Sequence, residues 1–503
     1  MPNVHPVITG LASSLVLATL AACHVSVNVG NTTGDVPGMS AITESDLRRD
    51  LFAMASDSMR GREAGTPDEL RAAAWVAERA REAGLRPAGD DGTYFQWWPM
   101  RRVRPSDESR VLLDGAPLVL WRDVSITAAV DTTLDLSLVW VGTAGADSLR
   151  RLDLRGKAVA AMIVPPARPP VSWISLRPWR YGGLAIRERA AALTAAGAAA
   201  VLLVADDSAN DVFPTLAVQN RRGTFNVDTT GAARVPARAP VLWAPNAMRD
   251  RVARAGRLAL TLRAESFVYP SANVVAVAPG RDNRLGGEYV LFSGHHDHDG
   301  VRNTIAGDSI WNGADDNATV SVAMLAIGRA FVKAPGRRAA LFVWHGAEER
   351  GLLGSRWYAA HPTVPRERIV AVLNGDMIGR NAPDSAALLG VQPPHRNSAE
   401  LAQIALDANA RVTGFKLDTI WDRPTHPEGW YFRSDHLPYA RAGIPSLMFS
   451  TLLHADYHTP RDEPSRIDVP KLARMTRWMY ATGWAVAERG ARPAVDPGFR
   501  LER

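Results

Sequence analysis

A chain of 503 residues exceeds what one compact domain usually holds, so two domains and a leader are expected. With 46% hydrophobic and 22% charged residues it has the composition of a globular protein, which excludes wholesale disorder. The formal charge of +6 comes from scattered arginines such as Arg101-Arg102 and Arg337-Arg338. Without a zinc-knuckle or helix-turn-helix pattern it gives no reason to expect a nucleic-acid partner.

The one cysteine, Cys23, excludes an intramolecular disulfide and a multi-cysteine zinc site. Any zinc must be held by His, Asp and Glu, the donor set of hydrolytic rather than structural sites. Val7 to Ala22 is an apolar run too short for a comfortable membrane span, and it reads as a secretory h-region. It ends in Leu20-Ala21-Ala22-Cys23, which resembles the lipobox of bacterial lipoproteins. The resemblance implies lipidation of Cys23 and an exported protein anchored to a membrane of the cell envelope. A plain cleaved signal peptide, and so a secreted protein, is the alternative. Residues 24–40 read as a flexible tether.

Thr66-Pro67-Asp68-Glu69 reads as a helix start: a threonine cap, a proline in the first turn and a glutamate closing a capping box. That helix is expected to stop at Gly84. Tyr94 to Trp98 reads as an aromatic strand in the core or at a sheet edge. From Asp131 to Leu262 the texture changes. Leu136 to Val141, Lys157 to Val164 and Ala198 to Ala205 read as strands, and Pro165 to Arg180 as a long loop. Gly182-Gly183 reads as a break before a helix starting near Leu184. No acidic-histidine cluster falls here. Arg155-Gly156-Lys157 and Ala195-Ala196-Gly197-Ala198 are similar to the protease-associated domain, so residues 131–262 are expected to form a small inserted α/β domain.

From Asn273 onward strands alternate with helices: strands at Val274 to Ala278, Tyr289 to Phe292, Ala339 to Trp344, Ile369 to Leu373 and Ile444 to Phe449. Helices are expected near Ala318 to Phe331, Ser355 to Ala360, Ser398 to Ala410 and Val469 to Glu488. This alternation predicts an α/β fold, a mixed and mainly parallel sheet with helices on both faces. Three of the strands run into short clusters, His295-His296-Asp297, Glu348-Glu349 and Asn374-Gly375-Asp376. Asp315-Asp316-Asn317 and Asp456-Tyr457-His458 are two more. Singly, each would be read as a cap, a turn or a solvated face. Together they converge on one rim of the sheet, where open α/β folds place ligands. Burying several carboxylates there without compensation costs of order several kcal/mol per ion, and metal cations are the usual remedy. Two zinc ions balance three carboxylates and a hydroxide.

In order and spacing these clusters resemble the co-catalytic two-zinc exopeptidases, which include leucyl-type aminopeptidases, glutamate carboxypeptidases and glutaminyl cyclases. The likeness covers roughly Tyr289 to Asp462, with a weaker piece at Met59-Arg60-Gly61-Arg62. It implies a di-zinc domain over residues 41–130 and 263–503. It also implies that His295, Asp316, Glu349, Asp376 and His458 hold two Zn2+, with Asp316 shared between them. Glu348 is then the general base, Asp297 supports the site from behind and Tyr457 stabilises an oxyanion. His298 is an extra imidazole nearby, while His295 is the ligand by motif position. Ser434-Asp435-His436 is a further family-like motif, expected to support the pocket.

The expected activity is removal of N-terminal residues from peptide substrates. A carboxypeptidase with Arg380 or Arg433 as a clamp, a glutaminyl cyclase, and a metal-free binding relative are the alternatives. Oligomeric state is left open.

Overall fold

The computed structural model describes residues 36–170, 176–228 and 238–503. The expected leader, Cys23 and most of the tether lie outside the described residues. The tether is shorter than expected at its far end. Val36 is buried in the main core, and the Tyr480 hydroxyl donates to the Pro37 carbonyl. Among the described residues no helix is long and apolar enough to cross a membrane.

The main sheet is built on five strands: β1 (Ala264–Ala278), β2 (Tyr289–His295), β3 (Ala339–His345), β4 (Ile369–Gly375) and β5 (Ser446–Ser450). Their order is β5-β4-β2-β3-β1. The first four are mutually parallel, and β1 runs antiparallel to β3. Antiparallel strands Phe95–Pro105 and Thr224–Val227 extend the sheet beyond β1. Ser385–Leu389 joins β5 antiparallel, and Lys416–Asp418 closes that end. The fold is therefore mixed α/β, parallel at its centre and antiparallel on the β1 side.

The central strands are apolar throughout because both faces are covered. Five helices matter here: α1 (Pro67–Glu82), α2 (Arg177–Ala195), α3 (Phe213–Arg222), α4 (Thr319–Lys333) and α5 (Val469–Glu488). Val290 and Phe292 of β2 face a core shared with α1, α4 and α5. Leu291, between them, faces the opposite core with Tyr358 and Tyr439. Helix α1 starts at the expected threonine cap, with the Asp68 N–H donating to Thr66. Glu69 does not close a capping box. It accepts from the Gly65 N–H and the Ser271 hydroxyl, each at 2.6 Å.

A second, eight-stranded sheet occupies the region of the expected insertion. Its boundary at 131 shifts in the structure. Arg110–Leu113 pairs with Arg257–Leu262 and belongs to this sheet, while Thr224–Val227 leaves it for the main one. The break expected at Gly182-Gly183 lies inside α2. A Cβ at Gly182 would fall 3.1 Å from Val212 and 3.2 Å from Leu216, so the missing side chain lets α2 lie close against α3. Helix α2 starts at Arg177, so the preceding loop is shorter than expected.

The topology itself marks one place. From β2 the chain passes through α4 to β3 on one side, then returns to β4 on the other. The strand order reverses at β2, and a crevice opens outside the carboxyl ends of such strands. His295 is the last residue of β2.

Candidate metal centre

Four of the chain's clusters are delivered to that crevice by backbone turns. Gly313, at φ 58°, turns the chain into Ala314–Ala318 and points Asp316 inward. Ala347, at φ 55°, ends β3 and starts the Glu348–Arg350 turn. Asp376 follows β4, its N–H donating to Phe449 of β5 at 3.0 Å. His458, at φ 50°, arrives on the loop after β5.

The five expected ligands come together here. Asp316 stands between two groups: its Oδ1 is 3.2 Å from His295 Nε2 and its Oδ2 is 3.1 Å from His458 Nε2. On one side His295, Glu348 and Asp376 present donor atoms within 4.8 Å of one another. On the other side His298, Asp316, Glu349 and His458 do the same. His298 enters as a donor that sequence reasoning gave no role; the only signal was a third imidazole in the His295-His296-Asp297-His298 run. His296 turns elsewhere, and burial lowers its ring to about 3, which keeps it neutral.

Asp297 braces both groups. Its Oδ1 accepts from the Glu348 N–H at 2.9 Å and its Oδ2 from the Glu349 N–H at 3.3 Å. Its main-chain carbonyl lies 3.1 Å from His295 Nδ1. Arg62, fully buried, explains the isolated Met59-Arg60-Gly61-Arg62 likeness. Its guanidinium donates to the carbonyls of His296 at 2.8 Å, Met54 at 3.1 Å, Asn312 at 2.6 Å and Gly313 at 2.8 Å. Asp462 holds the Asp316 turn by accepting its N–H at 3.0 Å. Asp299 lies 3.3 Å from His458 Nδ1 and is itself ringed by Arg222, Arg302 and Arg350. Under the rim, Ser293, Asn374 and Ser434 form a buried hydrogen-bonded chain with both links at 2.8 Å. Beside Ser434, burial raises the Asp435 carboxyl to about 7.

The donor set fits divalent zinc. With His295 Nδ1–H donated to a carbonyl, its Nε2 carries a lone pair facing the Asp316 carboxylate, and it has no hydrogen-bond partner. Glu349 Oε1 and both ring nitrogens of His298 are likewise buried without one. Acceptors facing acceptors need a shared cation, and imidazoles with carboxylates are zinc donors. The same need appears as protonation. Burial alone would lower the His295 ring, but Glu348, Asp316 and Asp376 outweigh it and hold it well above 6.5.

Residues 273–483 match the model of peptidase family M28. Aminopeptidase YwaD of Bacillus subtilis is 26% identical over 188 residues, 36% of this chain and 39% of that protein. Leupeptin-inactivating enzyme 1 of Streptomyces exfoliatus is 28% identical over 251 residues, 46% of this chain and 51% of that protein. The chain thus spans about half, or less, of the length of these relatives. Among solved structures, BSAP, a zinc aminopeptidase from Bacillus subtilis, aligns with TM-score 0.59 at 18% identity, covering 91% of this chain and 99% of that one. The aminopeptidase from Aneurinibacillus sp. strain AM-1 aligns with TM-score 0.56 at 18% identity, covering 93% and 98%. At that identity the alignments speak to the fold, and they extend over both sheets. The segment that carries the crevice is the one the model of peptidase family M28 matches.

Proposed function

We propose that the chain is a zinc-dependent exopeptidase of the aminopeptidase type. The observation that carries this reading is Asp316 lying between two donor groups, within 3.2 Å of an imidazole on either side. His295, Asp316 and Asp376 would hold one zinc ion, and Asp316, Glu349 and His458 the other. When bound, zinc at this centre supplies Lewis acidity to a scissile carbonyl and makes a bound water acidic.

The chain's own residues do the rest. Burial, with Asp435, Glu349 and Asp376 nearby, raises the Glu348 carboxyl well above its usual range. A carboxylate of that affinity takes a proton from water and returns it to the leaving amine. Asp297 fixes the Glu348 backbone at the rim of the crevice. Tyr457 Oη accepts from Arg433 at 3.0 Å, which leaves its own hydrogen for a developing oxyanion. Burial raises that phenol well above 10, so it keeps the proton. The two arginines considered for a substrate carboxylate already face carboxylates of the chain: Arg380 meets Asp456 at 2.7 Å and Arg433 meets Glu428 at 3.0 Å. The relatives named aminopeptidases support the same direction.

The test is a panel of aminoacyl-nitroanilides beside N-blocked peptides, with Glu348→Ala as control. Cleavage of free-amine substrates is expected, falling about 10²–10⁴-fold in the variant, while metal analysis finds the zinc retained. Hydrolysis confined to blocked peptides would overturn the aminopeptidase assignment. The Leu20-Ala21-Ala22-Cys23 sequence further supports export with a lipid on Cys23. Labelled palmitate should then enter the wild type and not Cys23→Ser.

A further inference from the structure

The two halves of the centre are not equivalent. Around His295 the chain offers His295, Asp316 and Asp376, with Glu348 reserved for the proton. Around His458 it offers four donors, because His298 joins Asp316, Glu349 and His458.

The placement of His298 is built rather than incidental. Its backbone N–H donates to the Arg62 carbonyl at 3.2 Å, and Arg62 in turn grips the carbonyls on either side of the metal loops. Its ring stands edge-on to His458, with centroids 5.3 Å apart and planes at 86°. Gly313 makes room for it: a Cβ there would sit 2.3 Å from the ring's Cγ. Its Nδ1 lies 2.8 Å from Glu349 Oε1 and 4.0 Å from Asp316 Oδ2. At 2.8 Å the His298–Glu349 pair still lacks the alignment of a hydrogen bond, and both atoms are buried without a partner. Two donors that close and not bonded to each other are both aimed at a third point.

We infer that His298 is a fourth protein donor to the His458-side metal position, so that the two zinc ions are held unequally. Four protein donors complete a tetrahedral shell, the arrangement of closed zinc sites, whereas three leave a position for water or substrate. The His458-side ion is therefore the retained, structural member. The His295-side ion is the exchangeable one that meets the substrate. This rests on the two-zinc reading above and adds an order of release to it.

The experiment is equilibrium dialysis of the zinc-loaded protein against rising chelator, with bound zinc counted by emission spectrometry. The wild type is expected to give up one equivalent first and the second only at tenfold or more higher chelator. His298→Ala is expected to lose the delay, its second equivalent weakened by 10–100-fold. Cobalt(II) in place of zinc gives a second readout, since its visible band intensity rises in four-coordinate sites and should drop in the variant. Release of both equivalents together from the wild type overturns the inference even if the variant fails to fold. So does a variant that keeps the wild-type release curve. Failure of the wild type to bind zinc at all would instead sink the exopeptidase reading beneath it.

Discussion

Arg62 touches no reacting group, yet three carbonyls at the metal loops, with that of Met54, depend on it. Its burial lowers the guanidinium to about 10, still charged at neutral pH. Asp297, Asp462 and Asp316 act on it favourably, and its donors are spent on Met54, His296, Asn312 and Gly313. Lysine has one nitrogen and cannot span that set. Arg62→Lys should therefore leave buried carbonyls unpaired, at about 1–3 kcal/mol for each that finds no water. A lowered denaturant midpoint together with weaker zinc retention is the expected pair of readings. Unchanged zinc affinity in a destabilised but folded protein would show that Arg62 serves the fold and not the centre.

At the scale of elements, helix α5 shows how closely the main layer is assembled. A Cβ on Gly483 would lie 2.2 Å from Phe292 Cζ and 3.2 Å from Leu373 Cδ1, so the helix backbone rests on two strands of the sheet. Alanine is the better helix former by about 1 kcal/mol. Forcing it against a buried ring costs about 1–3 kcal/mol through overpacking, and a clash this short belongs at the upper end. Gly483→Ala should lower the urea midpoint with the slope unchanged.

Central strands were legible in the sequence because burial on both faces leaves continuous apolar runs, as in Leu341 to Val343. Strand β1 was read only from Val274, because its first half is half-exposed and mixes Glu265, Ser266 and Phe267, so no apolar run marks it. The glycine pair in α2 was misread for a different reason. Local propensity says break, but packing against α3 pays for the helix, and that neighbour is not visible from the local sequence.

At the scale of the whole molecule, each expected ligand was legible because it sits beside a turn and within a cluster of its own. What could not be read is that His298 faces inward beside His295, since Arg62 and Gly313, distant in sequence, decide it. Nor could the reach of the second-sheet region into the centre be read, and this reach carries the last prediction. Arg222 ends α3, and its Nε lies 2.7 Å from Glu63 while its Nη1 lies 3.3 Å from Asp299. Asp299 in turn lies 3.3 Å from His458 Nδ1, where a carboxylate fixes the ring and raises its basicity. Arg302 and Arg350 also serve Asp299, so losing Arg222 alone does not strand that charge. Arg222→Gln should thus cost less than the roughly 3–5 kcal/mol of breaking a lone buried pair. Its effect should fall on the His458 side, with the later zinc equivalent released at lower chelator and the earlier one unmoved. Equal weakening of both equivalents would mean that α3 braces the crevice as a whole rather than through Asp299.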